Sequence, residues 1–200
     1  VPKGFGQENH VLQIAFIVYD GMTLLDFAGI YDPVTRLKTM GFLPDIQYDI
    51  CALQETIRTT EGAVIQTDRV RPDLARYNYA ILPGGDGVRD LVKDRDFLAW
   101  IAHVSPETRF AAVCGGVLLA GAAGLLRKKR VTTHPLFREY LKTMAGEVSN
   151  DRIVRDGDII TAGGVTASLD LGLYLCEMIA GSGVREQIQK QMDYQNYRTR

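Results

Sequence analysis

Cysteine is scarce in this chain. The 200 residues hold three, Cys51, Cys114 and Cys176, odd in number and far apart. No CxxC pair or Cys/His cluster with zinc-like spacing accompanies them. That number and spacing argue against a disulfide framework and a structural metal, and reduced thiols in a cytoplasmic setting are the expectation. Charge of one sign is missing as well. A net charge of -1 provides no broad basic surface for nucleic acid or an anionic membrane. No apolar run approaches the roughly 20 residues of a membrane span. The opening "VPKGFGQENH" lacks the apolar stretch of a signal peptide, so residues 1–10 read as a terminal tail. Internal repeats and low-complexity tracts are absent too.

What remains is an ordinary globular composition, 46% hydrophobic and 24% charged, over a length that suits one domain at 11–200. Strand-like runs alternate with helical periodicity. "VLQIAFIVY" (11–19), "YAILPGG" (79–85) and "RFAAV" (109–113) are nearly continuous apolar runs, as expected of strands buried on both faces. "YDICAL" (48–53) and "KRVTTH" (129–134) read as further strands, and 54–70 as a polar hairpin-like region. "DRIVRDGDIITAG" (151–163) reads as two strands joined at Asp156-Gly157. Helical spacing covers 23–40, interrupted by Pro33, then 91–104, 135–145, 166–180 and 184–195. The alternation predicts an α/β fold, an open and mainly parallel sheet with helices on both faces.

In such sheets ligands bind at the carboxyl ends of the strands. "RFAAVCGGVLLAGAAGLL" (109–126) places Cys114 there, where a strand gives way to a helix. Ala112 two residues before it, Gly115 after it and Gly116 two residues on meet the steric demand of a sharp nucleophile elbow. A thiol at a helix start faces unpaired N–H groups, which favour the thiolate. The alternative, a buried cysteine serving as a small hydrophobe, suits Cys51 and Cys176 better.

Other candidates follow from that position. Gly85, closing "PGG" at 83–85, and Gly115 could offer two amides to developing negative charge, although a plain Gly-Gly turn reads the same way. Asp26 in "LLDFAG" is flanked by Leu24, Leu25 and Phe27, where burial would raise its pKa and let it share a proton with a thiol. An early-helix acid favoured by the macrodipole is the competing account. His134 in "VTTHP" is either a polariser of the thiol or a strand-end histidine bonded to backbone; His103 sits in a helical stretch and His10 in the tail. Asp170 in "TASLD" reads as a helix-start acid before a catalytic orienter.

"LLDFAG", "AILPGGDGV", "AAVCGG...GAAGLL", "RVTTHP" and "GGVTASLDLGLYL", in that order, resemble the ThiJ/PfpI superfamily over residues 11 to 195. The resemblance implies a flavodoxin-like domain related to class I glutamine amidotransferases. Within the superfamily it is greatest to isonitrile (isocyanide) hydratases and to the amidotransferase-like domains of AraC-type regulators. It implies Cys114 as nucleophile, Asp26 as its proton handler, the Gly85 and Gly115 amides as anion donors, and a homodimer. The implied reaction is hydro-lyase chemistry on a small molecule, with no redox step and no cofactor. Gly115 departs from the threonine that hydratases carry after the cysteine, and from the histidine of PfpI-type peptidases. Ligand sensing, redox sensing, and glyoxalase- or peptidase-like activity are the alternatives the superfamily leaves open.

Overall fold

The computed structural model describes residues 11–200; residues 1–10, expected above as a tail, and His10 with them, lie outside the described residues. In chain order the strands are β1 (Gln13–Ile17), β2 (Gln47–Ala52), β3 (Thr56–Arg58), β4 (Val64–Gln66), β5 (Arg69–Val70), β6 (Tyr79–Leu82), β7 (Arg109–Val113), β8 (Arg130–Val131), β9 (Glu147–Val148), β10 (Ile153–Asp156) and β11 (Ile159–Ala162). The α-helices are α1 (Leu24–Thr39), α2 (Val88–Leu91), α3 (Arg95–Ala102), α4 (Gly116–Ala122), α5 (Arg138–Leu141), α6 (Ala167–Ala180) and α7 (Ser182–Gln191).

Seven strands form the main sheet in the order β10-β11-β7-β6-β1-β2-β5. All neighbouring pairs are parallel except β10 with β11. The five long parallel strands, taken in chain order, lie 2-1-3-4-5 across the sheet, which is the flavodoxin-like order. β1, β6, β7 and β11 are almost wholly buried, the reason their sequences read as apolar runs without alternation. The chain order reverses between β1 and β6. The carboxyl ends of β1, β6 and β7 therefore border the crevice where such folds bind ligands.

α1 keeps its course through Pro33, and its buried face packs on α6. The Cys176 thiol of α6 meets the Pro33 carbonyl at 3.2 Å. The helical stretch at 91–104 divides, because Asp94 accepts from the Asp96 and Phe97 amides and so caps α3. Two expectations contract further. Of 129–134 only Arg130–Val131 is strand, paired with β9 in a separate two-stranded sheet. Beyond it, side chains replace the ladder: the Thr132 N–H donates to Thr161 Oγ1 at 2.9 Å. The helix expected at 135–145 is a 3-10 turn followed by the one-turn α5, with His134 as cap. The Asp156-Gly157 hairpin is present, with Gly157 at φ +65.

Candidate active site around Cys114

Cys114 follows β7 and adopts φ +56, a left-handed conformation that non-glycine residues rarely take. Its backbone is pinned from three sides. The N–H donates to the Gly163 carbonyl at 2.8 Å and to the Ala162 carbonyl at 3.2 Å, at the end of the neighbouring strand β11. The carbonyl accepts from the Thr133 hydroxyl at 2.7 Å. Gly116 completes the turn, since a Cβ there would stand 2.5 Å from the Pro83 carbonyl oxygen and 2.6 Å from that of Leu82. The elbow anticipated from small flanking residues is therefore a steric necessity of this chain path.

Asp26 lies in the first turn of α1 with 0% of its surface exposed. Its Oδ2 accepts from the Gly84 N–H at 2.9 Å. A Cβ on Gly84 would meet the Gly115 nitrogen at 2.5 Å, Asp26 Oδ2 at 2.8 Å and Cys114 Cβ at 2.9 Å, so carboxyl, elbow and PGG turn converge on one residue's width. Burial raises the Asp26 pKa from 3.8 to about 6. The Gly84 N–H and the Cys114 thiol oppose that rise, and the Glu61 carboxylate adds slightly to it. Asp26 Oδ1 is buried without a hydrogen-bond partner among the described residues.

The thiol itself corrects the expectation of a ready thiolate. Cys114 is 6% exposed, and burial first, then the Asp26 charge, push its pKa from 9.0 to about 12, against the lowering effect of the Gly115 N–H. α4 is only seven residues long, and its few free amides do not offset desolvation. Burial and the facing carboxylate both favour the neutral thiol over the thiolate.

The remaining candidates separate. Gly115 adjoins the sulfur, and its open side faces the Phe137 ring and Val88 Cγ2, each 3.1 Å from where a Cβ would stand. Gly85, at φ +144, forms a bridge with Met22, and its N–H takes part in none of the described hydrogen bonds. His134 uses Nδ1 to accept from the Leu136 N–H at 3.2 Å, so it caps a turn and is not among the groups that shift the thiol. His103 is exposed against Asp73 at 3.4 Å. Asp170 is buried in an ion pair with Arg152 and accepts from the Tyr194 hydroxyl and the Arg198 N–H at 3.1 Å each, so it anchors the C-terminal segment. All three cysteines are free, with Cys51 and Cys176 buried in the core. A cavity of about 800 Å³ over the β3–β4 hairpin is walled by Asp20, Gln54, Arg58 and Val64 but by neither Cys114 nor Asp26.

Three residues here escaped the sequence reading. Thr133 holds the elbow carbonyl, Gly84 holds the carboxylate, and the Tyr19 hydroxyl donates to the Pro83 carbonyl at 2.8 Å. Two of them stand inside the "TTH" and "PGG" motifs, directly beside His134 and Gly85.

The chain has relatives among known proteins. The DJ-1/PfpI family profile matches residues 12–178. The chain belongs to the DJ-1/PfpI family. It is 32% identical over 185 residues to the isonitrile hydratase of Pseudomonas putida, covering 92% of this chain and 78% of that one. It is 24% identical over 182 residues to protein DJ-1alpha of Drosophila melanogaster, covering 89% and 75%. The crystal structure of a ThiJ/PfpI family protein from Pseudomonas syringae superposes with a TM-score of 0.82 at 29% identity, over 98% of this chain and 82% of that one. No helix of the described residues is long and apolar enough to cross a membrane.

Proposed function

We propose that this DJ-1/PfpI protein is a cysteine-dependent hydratase of small isonitriles, converting R–N≡C and water into the N-substituted formamide. The observation that carries the reading is the buried Asp26 carboxyl set against the thiol of the strained Cys114. Its similarity over nearly the full chain to a protein named isonitrile hydratase supplies the substrate class.

In this scheme Asp26 takes the thiol proton and delivers it to the terminal isonitrile carbon as the Cys114 sulfur bonds to that carbon. The product is a thioimidate, R–N=CH–S–Cys114, with no change in oxidation state of the protein. Asp26, again a carboxylate, then takes a proton from a water molecule whose oxygen adds to the same carbon. Asp26 passes that proton to the nitrogen, giving R–NH–CH(OH)–S–Cys114; the carbon–sulfur bond then breaks, the hydroxyl proton goes to sulfur, and the formamide R–NH–CHO leaves. The Gly115 and Gly85 amides are the donors assigned to charge that develops during addition and collapse. An acid with a pKa near 6 is suited to this shuttle, because it both accepts and returns a proton near neutral pH.

Val88 and Phe137 beside Gly115 give the elbow an apolar wall, which suits an isonitrile carrying a hydrocarbon substituent. The test is turnover of an aryl or alkyl isocyanide followed by formamide formation. Wild-type activity that Cys114→Ala abolishes supports the assignment. Absence of turnover, or turnover indifferent to Cys114→Ala, overturns it.

A further inference from the structure

Tyr19 lies just past β1, buried, with its ring edge-on to Phe97 at 5.7 Å. Its hydroxyl donates to the Pro83 carbonyl at 2.8 Å, and the Gly84 N–H donates to Asp26 Oδ2 at 2.9 Å. That carbonyl and that N–H are the two ends of one peptide group. The phenol and the carboxyl are thus joined through a single amide. A donor at the amide oxygen draws density from nitrogen through peptide resonance and makes the N–H a stronger donor. We propose that Tyr19 is a positioning residue of the candidate active site, governing through the Pro83–Gly84 peptide how readily Asp26 gives up its proton. The proposal deepens, and rests on, the reading of Asp26 and Cys114 as a proton-sharing pair.

The peptide has little freedom to drift from the carboxyl. Its Gly84 end is hemmed in by the Gly115 nitrogen and Asp26 Oδ2, and the Gly84 carbonyl accepts from the Thr23 N–H at 2.8 Å. The phenol stays a donor throughout the range in which Asp26 titrates, because burial, with Asp26 and Cys114 adding to it, holds its pKa well above 10. The titratable groups facing Asp26 are Cys114 from the elbow, Tyr19 from the β1 end and Glu61 from the β3–β4 hairpin. Glu61 accepts from the Leu24 N–H at 3.0 Å at the start of the same helix, and that bond keeps it ionised to lower pH than a free glutamate. Its field on Asp26 is therefore constant through the relevant range. The relay from Tyr19 is the adjustable element.

The experiment follows the Asp26 side-chain carbonyl by 13C NMR against pH in substrate-free protein labelled at aspartate, with Asp26→Asn assigning the signal. Tyr19→Phe deletes one hydroxyl and keeps the ring, so the midpoint rises by about 0.3 to 0.5 pH unit. 3-Fluorotyrosine at position 19, a stronger donor, moves it the opposite way. Opposed shifts support the relay. A midpoint unmoved by both replacements overturns it, including the case in which Tyr19→Phe merely lowers thermal stability. If Tyr19→Phe does not fold, the fluorotyrosine protein decides alone: a lower midpoint supports the relay and an unchanged one overturns it. The readout needs no turnover, so a protein inert toward isocyanides overturns the hydratase reading and leaves this result standing.

Discussion

The Thr133 hydroxyl donates to the Cys114 carbonyl over 2.7 Å, and both groups are buried. A left-handed cysteine is held in place by such bonds, because its own backbone preference runs the other way. Thr133→Val keeps the shape and leaves that carbonyl only the longer bond from the Val117 N–H at 3.4 Å. We expect a loss of about 1–2 kcal/mol in denaturant unfolding. We also expect kcat to fall with little change in KM, since the elbow loosens while the apolar wall stays.

Asp26 links pH to stability. Burial raises its pKa in the folded state to about 6, so the folded chain holds this proton more tightly than the unfolded one. The stabilising effect of that tighter hold is complete below the ordinary carboxyl pKa of 3.8 and is lost as pH rises through about 6. Asp26→Asn should therefore match wild type near pH 4 and exceed it at pH 8, by on the order of 2–3 kcal/mol. Thermal melts at the two pH values check this; equal stability at both would contradict it.

The same substitution acts on the thiol in the opposite sense to its effect on turnover. The Asp26 charge helps hold the Cys114 pKa at about 12. In Asp26→Asn the thiol ionises at lower pH, and alkylation by iodoacetamide at about pH 9 is faster than in wild type while hydration activity is lost. Mass spectrometry of Cys114 reads the first effect and formamide release the second.

Arg152 and Asp170 form a separate test, away from the elbow. Arg152→Ala strands a fully buried carboxylate that also orders the C-terminal segment through Tyr194 and Arg198. The expected cost is about 3 kcal/mol. Proteolysis within residues 192–200 should quicken, and cleavage there at the wild-type rate would contradict the anchoring role.

The parallel strands were legible because burial on both faces leaves an apolar run with no alternation, as in "YAIL" and "RFAAV". Cys114 was legible because the chain path admits no Cβ at Gly116, and a sequence records that as small residues around a cysteine. Asp26 was legible from its apolar neighbours, and the macrodipole reading is not its rival: the residue is both a first-turn acid and a buried one. The ionisation of the thiol was not legible. Its position promised a thiolate, but desolvation and a facing carboxylate are tertiary quantities, and they outweigh a seven-residue helix. The roles of Gly84, Thr133 and Tyr19 were hidden for the same reason. Each acts by a hydrogen bond to a group distant in the chain, and no local pattern encodes that distance. His134 and Asp170 carried the right chemistry, and the fold spends it on a turn cap and a tail anchor.

The proposed hydration depends on Asp26 carrying protons for Cys114, and the pH dependence of kcat/KM for an isocyanide tests that dependence most directly. The predicted profile rises with pH to a plateau, with an acid limb near pH 6 set by the Asp26 carboxyl. In Asp26→Asn this limb disappears and the rate falls by about 100-fold or more. A limb that persists unchanged in Asp26→Asn, or a variant as active as wild type, would contradict it.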